Sequence, residues 1–330
     1  MNVSEQPARL AVRTVEDLVG LVPHLLGFHP DESLVVMVLE EGRVVVTARV
    51  DLGPVAHVAA LDRLLSRLFG RFPAAEGWFM AYSDDDELAW DVLASCVQLV
   101  GLVRLGRLLQ VGSRHWRADH PDGPSGPITN EVSPTAAEAT VLGLPARRSR
   151  RDLATGLAGP PDTEVDGLLV EFETAAAELE ALGPRGRRRL LRRLLRTPGH
   201  CRVPDCVRLA LLADRPEVQV SVLRSLVRAN AEQQLELWTQ VVRHCLVDYR
   251  PTVLGLLAMA AWQTGDGALQ VVCLEELDRI DPMVPIAALV EYLNANVVPP
   301  GDWEADREAL LGGLAAALTI AARPANPRGR

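Results

Sequence analysis

Along this chain the spacing of apolar residues changes once, from mixed helix and strand periods to helix periods alone. Residues 15–26 (VEDLVGLVPHLL) carry apolar side chains at helical spacing. Thr14 is placed to cap that helix, Glu16 and Asp17 suit its first turn, and Pro23 predicts a kink in its last turn. Residues 34–39 (LVVMVL) and 43–50 (RVVVTARV) are rich in β-branched residues and flank Glu40-Glu41-Gly42, which predicts a β-hairpin. The first of these strands is apolar on both faces and is therefore expected to be central. Residues 55–69 place Leu61, Leu64, Leu65 and Leu68 on one side of a helix. Residues 77–82 (GWFMAY) read as a strand, and the SDDDE that follows opens a helix to about residue 100, with Ser83 or Asp84 as its N-cap. Residues 102–111 read as another strand, and Ser113–Ala118 as a short one pairing back. The order α-ββ-α-β-α-β-β predicts a mixed sheet with helices on at least one face.

Residues 119–133 form a loop rich in Pro, Gly and Asp, and a helix follows at 135–142. Beyond residue 147 only helices are predicted, near 163–182, 185–196, 203–213, 216–229, 231–245, 251–264, 267–280, 283–295 and 303–321. The expected organisation is a mixed α/β domain over 1–133 and an all-helical region over 134–330, of which 134–160 is a connecting segment. Within that region 251–282 resembles a tetratricopeptide-like helical hairpin, with Gly265-Asp266-Gly267 as its turn. A solenoid of such hairpins and an ordinary helical bundle both fit.

Charge sharpens one part of this picture. Seven acidic residues and no basic one lie between Asp162 and Glu180, and seven arginines and no acid between Arg185 and Arg196. The preferred reading is a hairpin in which the two segments face each other across Gly183-Pro184. The alternative is that the basic amphipathic helix, with Arg187, Arg188, Arg192 and Arg193 as its binding residues, takes a partner. The whole chain carries a formal charge of −9, which argues against nucleic acid as that partner.

Composition excludes more than it suggests. All 34 basic residues are arginine. With no lysine there is no P-loop lysine, no Schiff-base lysine for pyridoxal phosphate and no kinase-type strand lysine. No G-x-G-x-x-G follows a strand, so no cofactor is expected. The first residues, MNVSEQPARLAVRT, have no apolar core of a signal peptide, and no stretch is apolar enough to span a bilayer. With five cysteines, an odd number, the expectation is buried free thiols in a reducing cytoplasm.

Several segments together resemble a known family. They are Leu21-Val-Pro-His-Leu-Leu-Gly-Phe-His-Pro-Asp-Glu-Ser-Leu-Val-Val, Thr47-Ala-Arg-Val-Asp-Leu, Arg114-His-Trp, Ala136-Ala-Glu, Ser149-Arg-Arg-Asp-Leu, Pro204-Asp-Cys-Val-Arg and Leu257-Ala-Met-Ala-Ala-Trp-Gln-Thr-Gly-Asp-Gly-Ala. In this order they resemble an actinobacterial family, domain of unknown function 4192, over roughly residues 10–295. The first and last segments are the specific ones. That family often carries cysteines after the Trp, whereas Asp119–Asn130 has none, so no metal or redox role for that loop carries over. The resemblance implies no reaction.

Two sets of residues invite chemistry. His29-Pro-Asp31-Glu-Ser33 places an imidazole, carboxylates and a hydroxyl at the entry to a central strand. A hydrolase or transferase for a small substrate would use His29, Asp31, Ser33 and His115, with Arg49 and Trp116 nearby; the alternative is a structured turn. His200, Cys201, Cys206, His244 and Cys245 include zinc-ligand types, but their spacing favours buried thiols and no metal site is expected. The preferred function is therefore a non-enzymatic interaction or scaffold module with a protein partner or a second copy of itself. The alternative is the N-terminal small-substrate enzyme.

Overall fold

The computed structural model describes residues 12–128, 134–141, 150–196 and 199–321. The stretch 1–11, the end of the predicted loop at 129–133 and residue 142 of the predicted helix lie outside the described residues. The chain divides into two compact units, 1–150 and 151–330.

The first unit opens with α1 (Val15–Leu26). Thr14 accepts from the Asp17 amide while the Asp17 carboxylate accepts from Thr14, a reciprocal capping box, and Gly27 closes the helix at φ 78°. The hairpin follows as β1 (Ser33–Glu40) and β2 (Arg43–Asp51). Glu41 (φ 50°) and Gly42 (φ 73°) make its two-residue turn, both left-handed, which matches the twist of the strands. Next come α2 (Leu52–Val55), α3 (Val58–Arg71), β3 (Glu76–Tyr82) and α4 (Asp86–Val100). Asp85, rather than Ser83 or Asp84, is the α4 N-cap, accepting from the Leu88 amide. A 3₁₀ turn at Leu102–Arg104 replaces the predicted start of the next strand, so β4 runs only over Leu105–Val111. β5 (His115–Ala118) pairs back, and the polar loop adds an unforeseen strand, β6 (Ser125–Pro127). That strand needs a glycine, because a Cβ at Gly126 would stand 2.7 Å from the Trp116 indole.

The six strands lie in the order β2-β1-β3-β4-β5-β6. β3 and β4 are parallel, joined by the α4 crossover, and every other pair is antiparallel. The sheet is mixed, as the element order predicts, and β1 is buried between two neighbours because both its faces are apolar. Phe69 of α3 meets Phe79 on one face (centroids 6.3 Å apart).

Helix α5 (Pro134–Val141) packs on α1. Its Thr135 hydroxyl donates to Asp17 Oδ1 at 2.8 Å. That bond, before the amide bonds from Arg13 and Thr14, holds the Asp17 carboxyl below its ordinary range. A depressed carboxyl stabilises the folded state above the ordinary carboxylate range, and that contribution is lost as pH falls through the folded value. Asp17→Asn should therefore cost about 0.5–1 kcal/mol at neutral pH, the usual scale of a lost cap. In urea titrations the difference from the parent chain should shrink below pH 4, and a difference that grew there would contradict this role.

The second unit is helical: α6 (Arg150–Gly156), α7 (Asp162–Ala181), α8 (Gly183–Leu194), α9 (Val203–Ala213), α10 (Pro216–Ser225), α11 (Ala231–Arg243), α12 (Arg250–Thr264), α13 (Gly267–Ile280), α14 (Pro285–Ala295) and α15 (Trp303–Ala321). α7 to α15 stand close to their predicted places, and α6 falls within the predicted connecting segment 134–160. α12 is the axis, with every residue from Val253 to Gln263 buried. It has no polar face because α11 and α13 flank it and α9, α10 and α14 also touch it. Gly255 lets α14 approach, since a Cβ there would stand 2.9 Å from Ile286. Gly265 (φ 84°) ends α12, and Asp266 caps α13 through the Leu269 amide.

Candidate functional site

The N-terminal candidates do not form one site. Ser33 is fully buried; its hydroxyl donates to the Asp31 carbonyl and accepts from Arg49 Nε at 2.8 Å. Arg49 also pairs with Asp51 at 2.6 Å and lies 5.9 Å from the Phe28 ring centre. The hydroxyl is thus a strut between the loop and β2. His29 is exposed, and burial of part of its ring, then His24, holds its imidazole below the ordinary range. His115 is elsewhere. Ser33, Tyr82, Val111 and Trp116 occupy one row across β1, β3, β4 and β5. Three strand spacings separate the ends of that row, about 14 Å, so no proton passes directly between Ser33 and the region of His115.

Glu32, to which the sequence pattern assigns no role, holds the turn instead. It sits at φ 42°, its carboxylate accepts from Ser83 Oγ at 2.9 Å, and its carbonyl accepts from the Leu52 amide. Ser83 in turn accepts from the Asp85 amide, and its carbonyl accepts from buried Gln110. This network locks the ends of β1, β3 and β4 together. A residue three places from a helix start gives no signal that its partner lies 51 positions earlier.

The second unit holds a clearer concavity, and it lies where the charge pattern points. The predicted pairing of α7 acids with α8 arginines is largely replaced. Glu178 pairs with Arg208 of α9 at 2.8 Å, and Glu180 pairs with Arg215 just beyond α9. From α8, Arg187 reaches an α7 acid, Glu180, at 3.6 Å. The cause is apolar: Leu168, Phe172, Ala175 and Leu179 form the buried stripe of α7, and α7 packs more extensively on α9 than on α8. Buried apolar area outweighs exposed ion pairs, each worth about 0.2–1 kcal/mol.

Several α8 arginines are thereby left without an acid. Arg188, Arg189, Arg192 and Arg193 are exposed. Among the described residues Arg185, Arg188, Arg189, Arg192 and Arg196 make no ion pair with an acid. Arg185, Arg189, Arg192 and Arg196 follow one another at intervals of four, three and four, a single stripe. On the inner side Leu191 and Leu194 are buried. A groove of about 700 Å³ runs between the end of α7, α8 and the start of α9, with Leu182, Leu190 and Leu194 as apolar walls and Arg189, Arg193 and Arg202 on its rim.

Of the zinc-type residues, Cys201 and Cys206 come together at the start of α9, and Cys201 and His200 line the groove. Cys245 is separate; burial pushes its thiol up to about 12. Among the described residues no group of three or more His, Cys, Asp or Glu is arranged to hold a metal ion. No helix among them is long and apolar enough to cross a membrane.

The fold defines a class of protein in which a six-stranded mixed α/β unit precedes a largely helical unit built around a buried axial helix. The chain belongs to the family described as domain of unknown function (DUF4192), whose model matches residues 16–301. No curated protein matches this chain. No solved structure matches it either.

Proposed function

We propose that the protein is a non-enzymatic interaction module, and that the α8 face with its groove takes an acidic, amphipathic segment of a partner protein. One observation carries this reading: Glu178 and Glu180 turn to Arg208 and Arg215, which leaves the stripe Arg185, Arg189, Arg192 and Arg196 without an ion pair beside an apolar-walled groove. A partner helix or strand carrying Glu or Asp on one side and Leu-type residues on the other would match both features. The apolar walls Leu182, Leu190 and Leu194 have no counterpart on a polyphosphate backbone, which favours an amphipathic peptide over nucleic acid.

The test uses three probes against the full chain: a fluorescent helical peptide of alternating Glu and Leu faces, a short DNA duplex, and phosphatidylserine vesicles. The peptide should bind, and the triple change Arg188→Glu, Arg189→Glu, Arg192→Glu should weaken it at least about tenfold, or about 1.4 kcal/mol. These side chains are exposed, so thermal stability should stay near that of the parent. Tighter binding of DNA or vesicles than of peptide would overturn the reading, as would equal peptide binding by the variant.

A further inference from the structure

The outer face of α7 meets no cation of its own unit. Opposite the buried stripe, Asp162, Asp166, Leu169, Val170 and Glu173 share one side of the helix. Leu169 and Val170 are 44% and 63% exposed, so this face is acidic with an apolar centre. Among the described residues Asp162, Glu164, Asp166, Glu171 and Glu173 make no ion pair; the α7 acids that do, Glu178 and Glu180, stand at the far end of the helix. The face matches the arginine stripe of α8 in spacing as well as in charge. Asp162, Asp166, Leu169 and Glu173 follow one another at intervals of four, three and four, as do Arg185, Arg189, Arg192 and Arg196. At the helical rise each stripe is about 17 Å long. Beside the arginines lie the apolar walls Leu182, Leu190 and Leu194, and beside the acids lies Val170. Within one chain the two stripes do not meet, because burial of the α7 stripe seats that helix on α9 and α8 leaves it at Gly183 (φ 59°).

From this match of charge, length and apolar centre, we propose that the acidic segment taken by the α8 face is the outer face of α7 on a second copy of this chain. The proposal rests on the interaction reading and names its partner. Asp162, Asp166 and Glu173 of one copy stand against the α8 arginines of the other, and Leu169 and Val170 enter beside Leu182 and Leu190. Exposed ion pairs contribute little singly, so the association is weak, in the micromolar range, and sensitive to salt. The formal charge of −9 repels two copies at long range. At physiological salt that repulsion is screened over about 8 Å, whereas the stripes act in contact. The acidic run and the basic run that adjoin in the sequence are thus paired, but between chains rather than within one.

Sedimentation velocity of the full chain over a micromolar concentration series tests this. The parent should run heavier than one chain as concentration rises, and high salt should return it to the monomer. The triple change Arg188→Glu, Arg189→Glu, Arg192→Glu should weaken association at least about tenfold, and so should the double change Asp166→Arg, Glu173→Arg, since each sets like charges against each other. An equimolar mixture of the two variants should associate again, because the acidic α8 of one meets the basic α7 of the other. All five side chains are exposed, and rescue by mixing is a result that two misfolded variants would not give. A parent that stays monomeric throughout overturns the proposal, as does association that neither variant weakens, or a mixture that stays monomeric. A monomeric parent that still binds the acidic peptide through its arginines faults the second copy alone. Failure of both the peptide and the second copy to bind would take the interaction reading down as well.

Discussion

Trp303→Ala should lower the stability of the helical unit by about 3–5 kcal/mol, the scale of a large aromatic lost from a core. Trp303 opens α15 and is fully buried. Its ring meets Trp262 of α12 edge-on, centroids 5.9 Å apart and planes at 79°. Its indole N–H donates to the Leu226 carbonyl at 2.9 Å, just past the end of α10. One side chain therefore fastens α15 to both α10 and α12, and removing it leaves a cavity and an unmet carbonyl. Trp303→Phe keeps most of the packing and loses the bond, so its cost should be about 1–2 kcal/mol. By contrast, Arg224→Ala removes the ion pair to Glu308 at 2.9 Å on the same helix pair, but both partners are solvated, and little change is expected. Urea titrations with unchanged m-values would give this ranking. A Trp303→Ala loss no larger than that of Arg224→Ala would show that α15 is not part of the cooperative core.

Arg250→Met should be the next most damaging change, at about 2–4 kcal/mol. Arg250 begins α12 and is only 8% exposed. Its guanidinium donates to the Leu157 carbonyl at 2.9 Å and the Val242 carbonyl at 3.3 Å, and lies 3.6 Å from Glu276. It thereby ties the segment after α6, the end of α11, and α13 to the axial helix. Met fills similar volume but leaves two buried carbonyls without a donor. Glu276 keeps Arg279 at 2.7 Å, so it is not stranded, which holds the cost below that of a broken buried pair. Arg250→Lys should recover little, because one ammonium cannot span both carbonyls and the carboxylate as the planar fork does. Full recovery by Lys would show that charge, not the fork, is what this position requires.

Much of the frame is legible along the chain. The hairpin can be read because β-branched runs flank Glu41-Gly42, and the turn conformation those two residues take is decided within four positions. The hairpin of α12 and α13 is legible because Gly265 and Asp266 carry their own turn and cap chemistry. The capping box at Thr14 and Asp17 is likewise local, although its second partner, Thr135, is not. The candidate sites behave differently. His29-Pro-Asp-Glu-Ser33 looks reactive because its groups are adjacent in sequence, yet the backbone points the Ser33 hydroxyl at Asp31 and Arg49. Strand β6 is hidden because three residues paired on one edge need no hydrophobic period.

Sequence by itself determined most of the helices and strands, though not β6 or α6, the mixed character of the sheet, and where strands give way to helices. Those features follow from periodicity, capping and turn residues, which act over a few positions. Only the tertiary structure decided that β1 stands between β2 and β3, that α12 is the axis, and that Glu178 and Glu180 turn to Arg208 and Arg215, Glu180 keeping Arg187 of α8 as well. It alone opened the arginine groove and set Cys206 against Cys201. The reason is a difference of scale: surface charges are nearly indifferent to their partners, while burying the α7 stripe of Leu168, Phe172 and Leu179 is worth several kcal/mol and dictates which charges meet.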